Sequence, residues 1–316
     1  MSNTTFASLE DFAEHAFRAG WTDGLPVLPP EPDVVDAALA TVVDDPAAVL
    51  WTSDGKEVAV ADVAVAAVLA GCKATYFPVV LAAAEAYFGS LGDDGIDVST
   101  LPDASQCVIV NGPVRTKIEV NCGFGLYGPG WRANATIGRA LRFVVRSTLG
   151  TRQPAFGDPG QYTLCFGEDE ERSGWTPLHV QRGFSADTSA VTVHSTIVRS
   201  MHADRHSTTP EGLLDRLVVF ARGKVSGAGW FGDDPCSLVL VIPEETRRVL
   251  GKWSKDAMHD YLFERLVAGD DTPIHPVRLA SPNDLLIVAA GGPAFAAIQL
   301  LLSHRLSPVT TMVREC

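Results

Sequence analysis

The chain has 316 residues, 46% of them hydrophobic, and a formal net charge of -13. That is enough apolar content for a sizeable core in one large or two ordinary domains. The acidic balance argues against nucleic acid or an anionic membrane as partner, so any anion site must be a local basic pocket. The six cysteines, at 72, 107, 122, 165, 236 and 316, have no C-x-x-C spacing. This argues against a disulfide framework or zinc ribbon. Residues 1–17 lack a leader-like pattern, so a reducing cytoplasm is expected.

Leu9 to Ala19 reads as a short amphipathic helix with Ser8 as N-cap. Gly20 to Pro30 is proline-rich, stiff and extended. Helices are predicted over Asp33–Val43, Ala61–Leu69 and Phe77–Phe88, the last with Pro78 at its start. From Cys107 the pattern alternates. Strands are predicted over Cys107–Asn111, Tyr162–Phe166, Ala190–His194, Ser237–Ile242, Leu285–Ala289 and Val309–Val313. Helices are predicted over Ala133–Ser147, Pro210–Arg222, Glu244–Leu250, Lys255–Val267 and Ala294–Ser303. Such alternation implies an α/β architecture. The uncharged run Leu285–Ser303 has the length of a membrane span, but Gly291-Gly292-Pro293 breaks it. It reads as a buried strand, a turn and a helix, with no membrane segment.

Short motifs recur in one order. A strand, a loop and a helix lead to Phe156-Gly157-Asp158-Pro159, a strand, an acidic run, and His179-x-x-Arg182-x-x-Ser185-x-Asp187. The strand at 191–193 then opens a similar series, with Phe231-Gly232-Asp233-Asp234-Pro235 and His275-x-x-Arg278-x-x-Ser281-x-Asn283. The expected fold is α/β with a duplicated strand–loop–helix–strand core about a pseudo-two-fold axis and an N-terminal helical arm. Its parts would be residues 1–100, 101–189 and 190–316. Loops leaving equivalent strands would meet at one crevice.

The Gly-rich loop from Asn121 to Trp131 lies between a strand and a helix. Gly123, Gly125 and Gly130 allow close backbone approach to a ligand. It matches neither a Walker A sequence nor a clean G-x-G-x-x-G, so no nucleotide motif is present. Asn134 is a candidate N-cap, and Arg132, Thr136 and Arg139 could hold a carboxylate or phosphate there. Asn111 ends the preceding strand and joins the binding set. Cys122 is a candidate nucleophile or ligand, because a thiol near arginines or a helix start is activated. Cys72, beside Lys73, is a weaker candidate. Residues 194–207 read as the second unit's loop, carrying His194, His202 and His206 for proton transfer. His202, Asp204 and His206 form a candidate divalent-metal set without the H-E-x-x-H pattern. Glu168-Asp169-Glu170-Glu171 reads as a solvated turn, or as a carboxylate aimed into the crevice. His179 and Arg182 join the binding set through the repeat. Gly291-Gly292 is another backbone N–H anion site or a tightly packed turn.

Gly20-Trp21-Thr22-Asp23-Gly24-Leu25-Pro26-Val27, Ala70-Gly71-Cys72, Tyr76-Phe77-Pro78-Val79-Val80 and Val110-Asn111-Gly112-Pro113 are specific motifs. So is Gly128-Pro129-Gly130-Trp131-Arg132-Ala133-Asn134-Ala135-Thr136-Ile137-Gly138-Arg139-Ala140. On these the chain resembles an uncharacterised family of bacterial proteins, often encoded beside small proteins with a UGSC (selenocysteine or cysteine) motif. The resemblance covers most of the first half, and the second half mainly at its Ala-Gly-Gly strand end. It implies thiol or sulfur chemistry, or a two-component enzyme with a small thiol or selenol protein as partner. It also implies that relatives often carry a small polar residue at position 122, making the Cys122 thiol particular to this chain. The expected function is a lyase or hydrolase acting on a small carboxylate-bearing substrate. The first loop would bind the anion and the second supply proton or metal chemistry. The alternatives are a non-catalytic partner of the thiol or selenol protein and a metal-dependent hydratase or lyase. Homo-oligomerisation stays open.

Overall fold

The structure is a computed structural model that describes residues 5–53, 55–91, 104–150, 157–227, 234–268, 276–293 and 297–316. The motif positions Phe156, Phe231, Gly232, Asp233 and His275 lie outside the described residues.

Helix α1 (Leu9–Arg18) starts where the Ser8 hydroxyl accepts from the Asp11 amide, with acids in its first turn and Arg18 in its last. Both features suit a helix dipole. Pro32 opens α2 (Pro32–Leu39). A hairpin of β1 (Val49–Ser53) and β2 (Lys56–Ala59) leads into α3 (Val60–Ala70), which ends on Gly71 at φ +89°. That left-handed backbone favours glycine. Helix α4 (Phe77–Ser90) follows. Helices α3 and α4 are apolar nearly all round, and both are buried.

Strand β3 (Ser105–Asn111) runs into α5 (Pro113–Lys117), the Gly-rich loop and α6 (Arg132–Leu149). After these come β4 (Leu164–Gly167), α7 (Glu170–Ser173), α8 (Leu178–Gln181), β5 (Ala190–Thr196) and β6 (Val198–Ala203). The rest is α9 (Pro210–Gly227), β7 (Cys236–Ile242), α10 (Glu244–Leu250), α11 (Lys255–Val267), β8 (Leu285–Ala289), β9 (Ala297–His304) and β10 (Val309–Met312).

The chain is thus mixed α/β, with the hairpin and two four-stranded sheets ordered β10-β5-β3-β4 and β6-β9-β7-β8. Within each, one pair is parallel, β3/β4 in the first and β7/β8 in the second, and the other pairs are antiparallel. Side-chain alternation sorts the cores. Val108, Val110 and Cys165 join the helices α3, α4 and α6. Leu238, Leu240 and Ile287 join α9 and α11. Cys107, Ile109, Phe166, Val239, Val241 and Val288 form a third cluster between the sheets. The order of layers is therefore helix, sheet, sheet, helix. Gly138 lets α6 sit hard against β4, since a Cβ there would lie 2.4 Å from Thr163 Oγ1 and 3.0 Å from the Leu164 nitrogen.

Several predicted elements need correction. Residues 297–304 are β9, not part of a helix Ala294–Ser303. Its apolar run is buried among β6 and β7 partners, and a short run buried on both faces has no period to tell strand from helix. Residues 194–207 are not one loop. Strand β5 continues to Thr196, and β6 carries His202. The 162–166 strand begins at Leu164, after a 3-10 turn at Pro159–Gln161. Strand β5 also pairs with β3 in the same sheet, Cys107 opposite His194.

Candidate functional site

Parallel pairing brings the C-terminal ends of β3 and β4 to one edge, and those of β7 and β8 to another. In open α/β sheets ligands bind beyond such ends. Here the two edges meet. The Asp169 amide donates to Ala289 O at 2.6 Å, and the Gly291 amide to Cys122 O at 2.8 Å. Gly167 N donates to Asn121 O at 3.0 Å, and Glu244 N to Gly291 O at 3.2 Å. The Gly-rich loop and the Gly291-Gly292 turn are therefore neighbours. The Phe124 ring lies over Gly292, where a Cβ would come within 2.7 Å of ring carbon. A side chain at 292 would have to push that ring aside.

Under this junction lies a buried charge network. Glu168 and Asp169 are 1% and 0% exposed. The solvated-turn reading therefore fails for these two. Glu168 accepts from Lys255 Nζ at 2.8 Å, Asn111 Nδ2 at 2.7 Å and the Leu178 amide at 2.6 Å. Asp169 accepts from Arg247 Nη2 at 2.6 Å and Arg172 Nε at 2.9 Å. Buried carboxylates of this kind persist only when paired and hydrogen-bonded. Glu170 takes the Gly112 amide at 2.8 Å and Asn111 Nδ2 at 2.9 Å.

Cys122 is half-buried on this network. Arg115, itself buried on α5, brings Nη1 to 3.7 Å from Sγ. The same guanidinium pairs with Glu171 and lies 3.7 Å from Glu170. Burial raises the thiol pKa, Arg115 and Arg172 oppose the shift, and Asp169 and Glu171 add to it. The group at rest is a thiol. The loop itself is clamped. Asn134 accepts from the Asn121 amide at 2.8 Å and donates to Asn121 O at 3.0 Å, while Asn121 Oδ1 accepts from Gly123 N at 2.9 Å. Asn134 is thus a loop clamp and not a cap. The N-cap of α6 is Trp131, without a side-chain bond. Gly125 and Gly130 take positive φ, +64° and +108°.

The two predicted anion-binding arginines lie elsewhere and are engaged. Arg139 grips Asp23 with Nε at 2.8 Å and Nη2 at 2.6 Å. Arg132 donates to Gly71 O from Nε and Nη2, at 3.2 and 3.0 Å. Thr136 returns its hydroxyl to Arg132 O at 2.8 Å. Beside them, burial pushes the Cys72 thiol up to about 12 despite Thr136 and both arginines. These residues fasten the segment at Asp23 and the end of α3 to α6.

The histidines do not join Cys122 through any described contact. His194 is buried in β5, with Nδ1 on Thr196 Oγ1 at 2.9 Å and Nε2 on Ser237 O at 3.4 Å. Burial drops its pKa to about 4, which keeps it neutral. The His202 ring lies tilted against Phe220, centroids 4.9 Å apart, and burial lowers its pKa. Asp204 spends its oxygens on the His206 amide at 2.7 Å, the Ser207 amide at 3.1 Å and the Ser207 hydroxyl. Burial would raise its pKa, but these bonds and Arg216 hold it at about 2. His206 is exposed. Among the described residues no group of three or more His, Cys, Asp or Glu side chains is placed to hold a metal. Arg182 ties α8 to Pro308 O at 2.5 Å and Asn283 O at 3.1 Å. His179 is fully buried, and neither ring nitrogen has a hydrogen-bond partner among the described residues.

Sequence reasoning missed Arg115, Arg172, Arg247 and Lys255. The acidic run beginning directly at the end of a strand signalled carboxylates in need of cations, but nothing in the sequence named which cations. No known protein-family model matches the chain, and no curated protein matches it. No helix of the described residues is long and apolar enough to cross a membrane.

Proposed function

We propose that the chain is an enzyme, a lyase or hydrolase acting on a small carboxylate-bearing substrate where the four strand ends meet. Cys122 is its reactive thiol. The observation that carries this reading is the Arg115 guanidinium, 3.7 Å from Sγ and paired with Glu171 at the same time. A protonated thiol needs a base. Glu171, held on the guanidinium that touches Cys122, takes the proton as Sγ attacks the substrate's acyl carbon and returns it to the departing thiol or amine, and water then hydrolyses the acyl thioester to the free acid. Arg172, whose side chain is 56% exposed and whose Nη2 lies beside Gly123, holds the substrate carboxylate. It replaces Arg132 and Arg139 in that role.

The test is turnover of a panel of small carboxylate-bearing thioesters, amides and β-substituted acids. Cys122→Ser and Arg115→Gln should each cut kcat/KM at least a hundredfold. Undiminished turnover in Cys122→Ser would sink the reading.

A second reading has its own observation. Phe124 and Trp131, on the loop that carries Cys122, are 58% and 42% exposed. This favours a docking face for a small thiol or selenol protein, as the family resemblance implies. Turnover appearing only when that protein is added would decide for it.

The duplication and the N-terminal arm belong to the same proposal. The shared order of pairing supports matching β3 with β7, β4 with β8, β5 with β9, and β10 with β6. This register differs from the motif-based one, which set the strand at 107 against that at 190. Six unpaired cysteines favour a reducing cytoplasm.

A further inference from the structure

The motif Gly20–Val27 takes no part in the Cys122 site, yet it is firmly built. Asp23 is gripped by Arg139, the Trp21 amide donates to Ala16 O at 2.9 Å, and the Leu28 amide donates to Leu69 O at 3.2 Å. This arm forms the rim of a cavity of about 800 Å³ between itself, β2, α3 and α6. The volume falls within the roughly 300–1,000 Å³ of small-molecule sites. Val58, Val65, Leu69 and Phe143 supply apolar wall, and Trp21 stands at its edge.

The charged groups on the wall are unequally committed. Asp62 accepts the Ala59 amide at 2.9 Å and so caps α3. The Arg146 side chain makes a single hydrogen bond among the described residues, to Thr22 O at 3.4 Å, and no ion pair there. Arg139, two turns earlier on the same helix, is by contrast saturated by Asp23. Lys56 also lines the cavity without an ion pair among the described residues, against two exposed carboxylates, Glu57 and the capping Asp62. An under-used guanidinium fork above an apolar wall matches a planar carboxylate carrying a hydrocarbon body.

We propose that this cavity binds an amphipathic monocarboxylate, its carboxylate on Arg146 and its hydrocarbon chain against Val58, Val65, Leu69 and Phe143. The site is independent of the reading of Cys122. Calorimetric titration with octanoate, octylamine and octanol tests it. Octanoate should bind one per chain, and octylamine should not. Arg146→Gln should weaken octanoate at least tenfold, with Arg146→Lys intermediate. Val65→Phe narrows the cavity with Arg146 in place and should weaken it similarly, so the test survives if one variant fails to fold. Equal octanoate affinity in Arg146→Gln, octylamine binding as tight as octanoate, or no octanoate binding to the wild-type chain would each overturn the proposal. Cys122→Ser should bind octanoate unchanged, which separates failure here from failure at the thiol.

Discussion

His194 shows what burial does to a single group. It sits in β5 and faces the second sheet, its ring satisfied by the Thr196 hydroxyl and the Ser237 carbonyl of β7. Its pKa falls from 6.5 to about 4 because the charged form is desolvated. Between those values the unfolded chain binds a proton that the folded chain refuses. Stability must therefore fall as pH drops from about 6.5 to 4, by roughly 3 kcal/mol from this residue. Below that window the loss is complete. Urea midpoints measured across it should decline in the wild-type chain and flatten in His194→Gln; an unchanged slope in the variant would refute the assignment. The loop glycines, Cys122 and the Gly291-Gly292 turn could be found from sequence because a glycine-rich break between periodic segments is a local signal. Arg115 and Lys255 could not. Lys255 meets Glu168 across 87 residues of chain, and nothing in its own neighbourhood, the first turn of an ordinary helix, marks it as buried.

At the scale of elements, every strand read from the sequence is present, while residues 297–304 of a segment that reads as helix form a strand. Helix α6 has a strong 3.6-residue pattern, and its predicted span 133–147 lies within the observed Arg132–Leu149. Strand β9 reads as a helix because Ile298, Leu300, Leu301 and Leu302 are buried on both faces, so no alternation survives in the sequence. The same close packing sets a limit on α6. Alanine for Gly138 would gain about 1 kcal/mol of helix propensity. It would also force a methyl into the space of Thr163 and Leu164, 2.4 and 3.0 Å away. Overpacking of this kind costs about 1–3 kcal/mol. Gly138→Ala should melt at a lower temperature than wild type, and paired with Thr163→Ser or Thr163→Ala the loss should stay, because the Leu164 backbone cannot move aside. A raised melting temperature would show that α6 shifts freely over β4.

For the whole molecule, the decisive fact is where each sheet finds its fourth strand. The chain leaves β5 in the first sheet and enters the second as β6, then leaves β9 in the second and returns to the first as β10. Neither sheet is complete without a strand that follows the other's central elements. Buried pairs reinforce the link, since Lys255 and Arg247 from the second half neutralise Glu168 and Asp169 from the first. The two halves should therefore unfold together. Far-ultraviolet circular dichroism, tryptophan fluorescence and amide hydrogen exchange on β3 and β7 should give one coincident denaturant transition. Two separated transitions would mean that the halves stand alone.

The returning strand has a consequence for how the protein is made. Strand β10 covers the open side of β5 through Val309 to Met312. During synthesis the β3–β4–β5 sheet emerges more than a hundred residues before that cover. At 5–20 residues per second, β5 would stand as a bare edge for roughly 5 to 25 seconds. The ribosome, in effect, holds this sheet unfinished until β10 arrives.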